Sequence, residues 1–213
     1  MLQFLPQTSI LLAYLIAVVA LTLTPGPDMT LFLGKAIGQS RLAGCAAFFG
    51  ASSGLVIHTV LVAVGLSALL AASVTAFTIL KVVGALYLVY LAYQAIRYGS
   101  ALSVGGKGSA DPIGSVYLKG LAINLLNPKI IVFFVTFLPQ FVSPADPHAA
   151  GKLMFLGILF VVVATPISLA LIWSAGSIAT LLKRSPKVTR AVDYLFAGVI
   201  GAFAVRLILA QAK

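Results

Sequence analysis

Long uncharged runs alternate with short polar breaks along this chain. Mostly apolar residues fill about 4–24, 44–70, 77–96, 116–141, 153–182 and 191–210. Each run is near the roughly 20 residues that a helix needs to cross a bilayer. The second carries His58 and the third Lys81, Asn127-Pro128-Lys129 interrupts the fourth, and Pro166 lies inside the fifth. The pattern predicts an all-α membrane protein of about six transmembrane helices. The longest polar stretch, 99–115, holds Gly105, Gly106, Gly108 and Pro112 and reads as a flexible cytoplasmic linker. It would join a first three-helix repeat, 1–98, to a second, 116–213. No connection is long enough to fold as a domain of its own, so the function is expected inside or across the bilayer.

Composition supports lipid as the solvent. Hydrophobic residues make up 61% of the 213 and charged residues 8%, where a soluble domain carries about 25% charged. The net charge is +10. In a soluble chain that excess would suggest nucleic acid, but here the basic residues fall between apolar runs rather than in one patch. They set orientation instead. With the N-terminus outside, the inner loops collect Lys35, Arg41, Arg97, Lys107, Lys119, Lys183, Arg184, Lys187 and Arg190. The outer side keeps Lys81, Lys152, Arg206 and Lys213. Both termini are therefore expected outside the cytoplasm. The first run has no basic stretch before it and no small-residue cleavage site after it, so it is expected to remain as a helix. Cys45 is the only cysteine, which excludes an intramolecular disulfide.

Two segments stand out within the apolar runs, Thr24-Pro25-Gly26-Pro27-Asp28 and Asn127-Pro128-Lys129. Proline lacks a backbone donor and clashes with the preceding turn, so each segment breaks or kinks its helix. The breaks lie about half the chain apart, each in the first helix of a set of three. Three is odd, so the sets would enter the membrane from opposite sides, as inverted-topology repeats do. Paired breaks of this kind point to a binding site at the repeat interface. A break frees backbone groups that lipid cannot satisfy, and the half-helix after it presents partial positive charge.

The breaks also carry opposite charges. A charge at mid-membrane costs about 2.5–3.5 kcal/mol on insertion scales, so it persists when paired or wet. Lys129 lies between uncharged stretches and is expected at depth. Asp28 has two readings: it caps a short interfacial helix from Met29, or it is buried because the span resumes over 29–38.

At these residues the chain resembles the LysE/RhtB amino-acid exporter family, within its homoserine, threonine and leucine efflux branch. The resemblance rests on Leu23-Thr24-Pro25-Gly26-Pro27-Asp28, on the run from Leu80-Lys81-Val82-Val83-Gly84 to Tyr93 and Arg97, and on Asn124-Leu125-Leu126-Asn127-Pro128-Lys129 followed by Phe137-Leu138-Pro139-Gln140-Phe141. Gly54-Leu55-Val56-Ile57-His58 is similar to the second helix of homoserine exporters. The match covers nearly the whole chain. It implies export of an amino acid from the bacterial cytoplasm, driven by proton antiport, and leaves the substrate open.

Several single residues have two readings. Gly50, Gly54 and His58 share one helical face; the histidine is a packed, hydrogen-bonded residue or a proton carrier. Asn124 and Asn127 share a face and either satisfy backbone freed by Pro128 or contact substrate. Tyr87 is deep enough to line a cavity, whereas Tyr90 and Tyr93 fit an aromatic belt. Thr165, Pro166 and Ser168 suggest a kink in the fifth run. Asp193 is expected to pair with Arg190 or Lys187, and Asp111, Asp146 and His148 to be solvated.

The sequence therefore proposes a substrate site of Pro25, Gly26, Asp28, Tyr87, Asn124, Asn127 and Lys129. Asp28 would hold the ammonium with carbonyls freed near Pro25. Lys129 and the N–H groups after Pro128 would take the carboxylate. Asp28 is the expected proton carrier, with His58 in reserve. Neither a cofactor nor a metal is expected, since the two histidines have no acidic cluster beside them. A cation channel or ion-efflux protein of a related six-helix fold is the alternative, weakened by the scarcity of intramembrane carboxylates. A membrane enzyme would need a nucleophile–base pair at depth, and none is present. Small-residue faces allow a homodimer as readily as internal packing.

Overall fold

The computed structural model describes residues 8–72, 110–142 and 146–177, with individual positions between 75 and 97 and between 185 and 202. All regular structure among them is helical. Helix α1 spans Thr8–Leu23 and ends where Pro25 denies the next turn its donor. Thr24 closes it, both its N–H and its hydroxyl reaching the Ala20 carbonyl. Helix α2, Pro27–Gly38, starts with proline in its first turn, where a missing N–H costs nothing. The two helices meet at a bend of 51° and are together long and apolar enough for one broken span. The helix thus resumes directly after the break, and Asp28 lies in the first turn of α2 rather than capping a helix from Met29.

Helix α3, Arg41–Ala72, is 32 residues long and starts with the Ser40 hydroxyl accepting from Ala43 N–H. Helix α4, Ile113–Leu125, and α5, Pro128–Val132, repeat the broken arrangement with a bend of 50°. Beyond α5 the chain widens into a π turn, Phe133–Phe137, then tightens into a 3-10 turn, Leu138–Phe141. Pro139 explains the change of winding, because it removes the donor that an α-helix would send to Val135. The Thr136 hydroxyl and the Gln140 amide instead bond carbonyls four residues back. Helix α6 spans Ala149–Trp173 with Pro166 inside. Both α3 and α6 are long and apolar enough to cross a bilayer. Together with the two bent pairs, they give up to four spans among the described residues, consistent with a multi-pass membrane protein of about six. The third and sixth expected runs fall mostly outside the described residues, but helical positions recur in both. Lys81, Tyr87, Asp193 and the linker positions 99–109 also lie outside them.

Glycine sets how closely the helices pack. A Cβ on Gly50 would strike the backbone of Tyr117 and Leu121, and one on Gly120 the backbone of Ala47. The backbones of α3 and α4 therefore touch, as small residues permit in membranes. An aromatic group of Phe133, Phe134, Phe137, Phe141 and Phe160 fills the space beside α1 and α6. Within it, the Tyr14 hydroxyl donates to the Leu156 carbonyl at 2.6 Å.

Asp111 is not simply solvated. Its carboxylate bridges Lys35 at 2.8 Å and Lys119 at 2.7 Å. Gln39 donates to the Asp111 carbonyl at 2.7 Å. This clamp ties the end of α2 to the approach to α4. Hydrogen bonds from Lys119 and Lys35 hold the carboxyl down at about 2. A depressed carboxyl stabilises the fold fully above the ordinary carboxylate range and loses that contribution as pH falls through its folded value. The clamp should therefore be constant from about pH 5 upward and weaken only on strong acidification. Asp111→Asn is expected to lower the thermal midpoint in detergent at pH 7 by a few degrees, with a difference that shrinks as pH falls toward 2 and below. Equal midpoints for both proteins at pH 7 would refute the clamp. Asp146 is likewise engaged, with Lys152 and the His148 backbone N–H. These contacts, Lys152 foremost, lower its carboxyl below the usual range.

Candidate functional site

The two breaks meet. The Asp28 carboxylate, in the first turn of α2, accepts from Asn124 Nδ2 at 2.8 Å and from Asn127 Nδ2 at 3.1 Å, both on the same oxygen. Lys129 crosses the other way and donates through Nζ to the Thr24 carbonyl at 3.2 Å. That carbonyl is one that the first break leaves without a helical donor. Gly26 makes the crossing possible, since a Cβ there would stand 2.9 Å from Lys129 Nζ. Among the described residues, no direct ion pair joins Asp28 to Lys129. The charges are close enough to attract yet leave space between them.

Asn127 does two things at once. Its Oδ1 accepts the Lys129 backbone N–H at 3.1 Å, which caps α5, while its Nδ2 holds Asp28. Its main-chain carbonyl accepts the next N–H, from Ile130. The donors expected to receive a carboxylate after Pro128 are thus spent on Asn127. The N-terminus of α2, by contrast, has Gly26 at its cap and no side-chain partner there.

His58 is buried at 7% exposure and lies behind Asn124. Its Nε2 is 3.4 Å from the Asn124 carbonyl oxygen, the group that Pro128 leaves without an α-helical donor. The ring also lies 5.8 Å from that of Phe134. This is the geometry of a packed, hydrogen-bonded histidine. Gly54 leaves room for the Asn124 side chain, since a Cβ would meet its oxygen at 2.5 Å.

A cavity opens beside these groups. Thr24, Asp28, Asn124 and Lys129 form its polar side, and Phe32, Phe48, Leu55, Phe160 and Ala164 much of its apolar wall. It has room for the centres of several waters, ≈ 60 Å³ in all, where about 10–15 Å³ suffices for one. Two buried acceptors at this place, Asp28 Oδ1 and Asn124 Oδ1, have no hydrogen-bond partner among the described residues. Buried acceptors are rarely left so, and a pair of them suits a donor-rich cation. Of the expected residues, Asp28, Asn124 and Lys129 line the cavity. Gly26 and Asn127 support those side chains, and Pro25 acts through the break. The wall from α3 and α6 was not anticipated. Its signal was present in Phe160, Ala164 and Ser168, spaced by four on one face of α6.

Comparison with known proteins gives the family. The model for LysE type translocators matches residues 19–211, and the chain belongs to that family. It is 34% identical over 184 residues to a homoserine/homoserine lactone efflux protein of Salmonella typhi, covering 86% of this chain and 88% of that one. It is 28% identical over 200 residues to a leucine efflux protein of Salmonella choleraesuis, covering 93% and 94%. An uncharacterized membrane protein of Vibrio cholerae is 32% identical over 202 residues, covering 95% of this chain and 97% of that one. No solved structure matches.

Proposed function

We propose that this LysE-family chain exports a small neutral amino acid, of the homoserine, threonine or leucine kind, across the bacterial inner membrane in exchange for protons. The observation that carries the reading is a carboxylate and an ammonium, one from each broken span, that face a single cavity without pairing directly. A zwitterion fits that arrangement. Its ammonium goes to Asp28 and the unpartnered oxygen of Asn124. Its carboxylate goes to Lys129 and the uncapped start of α2, where the helix dipole favours an anion. Relatives named for homoserine and leucine efflux support the substrate class.

In this mechanism Asp28 binds either a proton or the substrate ammonium, because both compete for one carboxylate. Rocking of one three-helix half against the other alternates access, and His58 positions Asn124. The test is uptake of labelled amino acids into proteoliposomes under an imposed pH gradient. A proton-coupled exporter accumulates homoserine, threonine or leucine against its gradient and loses that accumulation with a protonophore. Flux of none of them, or conductance independent of amino acids, would refute the reading and favour an ion pathway.

A further inference from the structure

Four hydroxyls line the cavity, and three of them are already engaged. Thr22 donates to Val18, Thr24 to Ala20 and Ser52 to Phe48, each to the carbonyl four residues back. The fourth, Ser168, belongs to the wall formed by α6. It is 3% exposed, and its hydroxyl makes no hydrogen bond among the described residues. In an apolar helix a serine ordinarily back-bonds as the other three do. Ser168 is therefore a buried donor at the cavity surface whose proton is uncommitted. The same cavity is lined by Phe160 and Ala164 from the same helix face and by Leu55 and Phe48 from α3. Among the described residues, Asp28 and Lys129 are the only charged groups in the lining, and the zwitterion's own ends occupy both.

We propose that Ser168 reads the side chain of the transported amino acid, donating a hydrogen bond to a side-chain hydroxyl and favouring hydroxylated substrates over aliphatic ones of the same shape. The inference rests on the exporter reading above and adds to it the chemistry of the third substrate group. A wall with no charge rejects acidic and basic side chains, because a charge there would be desolvated without a partner. Within the neutral class, one donor in an apolar surround distinguishes an oxygen from a methyl. A neutral hydrogen bond is worth about 0.5–1.5 kcal/mol net, so the preference should be roughly three- to tenfold.

The experiment measures counterflow in proteoliposomes for two isosteric pairs, homoserine against norvaline and threonine against valine. The natural chain should prefer the hydroxylated member of at least one pair. Ser168→Ala should remove that preference by lowering transport of the hydroxylated member while transport of the aliphatic one holds or rises. Thr165→Ala tests mere disturbance of α6: the Thr165 hydroxyl is spent on the Val161 carbonyl and lies off the cavity, so the ratio should stay. If Ser168→Ala fails to insert, Ser168→Cys keeps the size with a weaker donor and should give a reduced ratio. Unchanged ratios in the Ser168 variants, or an equal fall for both members of a pair, would overturn the proposal. Failure of the natural chain to move any of the four, or leucine, would instead defeat the exporter reading on which it rests.

Discussion

Asp28→Asn is expected to abolish transport, by roughly a hundredfold or more, while leaving the fold intact. The substitution isolates charge from shape. The asparagine oxygen can take the place of the Asp28 oxygen that receives Asn124 and Asn127, so both hydrogen bonds survive. What disappears is the negative charge that Lys129 feels and that a substrate ammonium would meet. Removing one partner of the buried pair that Asp28 would form with the substrate ammonium costs about 3–5 kcal/mol of binding. Asp28 is only partly buried, and the low end of that range already gives about two powers of ten. Lys129→Gln is the companion, since its amide can still reach the Thr24 carbonyl. Counterflow of labelled homoserine and leucine at pH 7 reads both variants, with thermal unfolding in detergent to verify folding. Counterflow retained in Asp28→Asn with pH-driven accumulation lost would assign the carboxylate to the proton alone. Full transport by both variants would mean that no zwitterion binds between the breaks.

The second large effect concerns the seam between α3 and α4. Gly120→Ala should destabilise the protein strongly, because the added methyl meets the Ala47 backbone. A side chain can rotate away from an intruder, but a carbonyl in mid-helix cannot, so the helices must separate. Overpacking costs typically 1–3 kcal/mol, and backbone contact puts this case at the upper end. Gly50→Ala should do the same from the facing side, against Tyr117 and Leu121. Gly34→Ala is the contrast: a Cβ there meets nothing within 4 Å, and alanine is the better helix former by about 1 kcal/mol. Midpoints in detergent should fall for Gly50 and Gly120 and hold or rise for Gly34. A midpoint for Gly120→Ala equal to that of the natural chain would show that the backbones do not touch in solution.

How much of this was legible beforehand follows from where the information resides. Uncharged runs reveal spans because a bilayer imposes length and polarity on contiguous residues, so α3 and α6 were readable apart from their ends. The fifth run was placed at 153–182, whereas α6 starts at Ala149 and ends at Trp173. Its apolar character continues past the point where the backbone turns at Ser174. The breaks were readable because proline acts locally, and the opposite charges on them singled out the candidate site. Hydrogen bonds between distant residues left no local trace. Nothing near Asn127 says that its amide divides between capping α5 and holding a carboxylate 99 positions earlier. Asp111 looked like a loop residue because its partners Lys35 and Lys119 come from separate helices. The role of Ser168 becomes visible only when three other hydroxyls are seen to be occupied.

The double duty of Asn127 bears on leakage. Drawing α5 away from α2 would strip Asp28 of a donor, and turning the Asn127 side chain to follow Asp28 would uncap α5. Either way an apolar medium receives a naked polar group. On the proposed exchange, an empty carrier would meet resistance to slipping through its cycle, and the resistance would fall when a proton neutralises the acid or a passenger's ammonium replaces the amide. Tight exchange, with little wasted proton flow, would then be built into a single side chain at the crossing of the two broken spans.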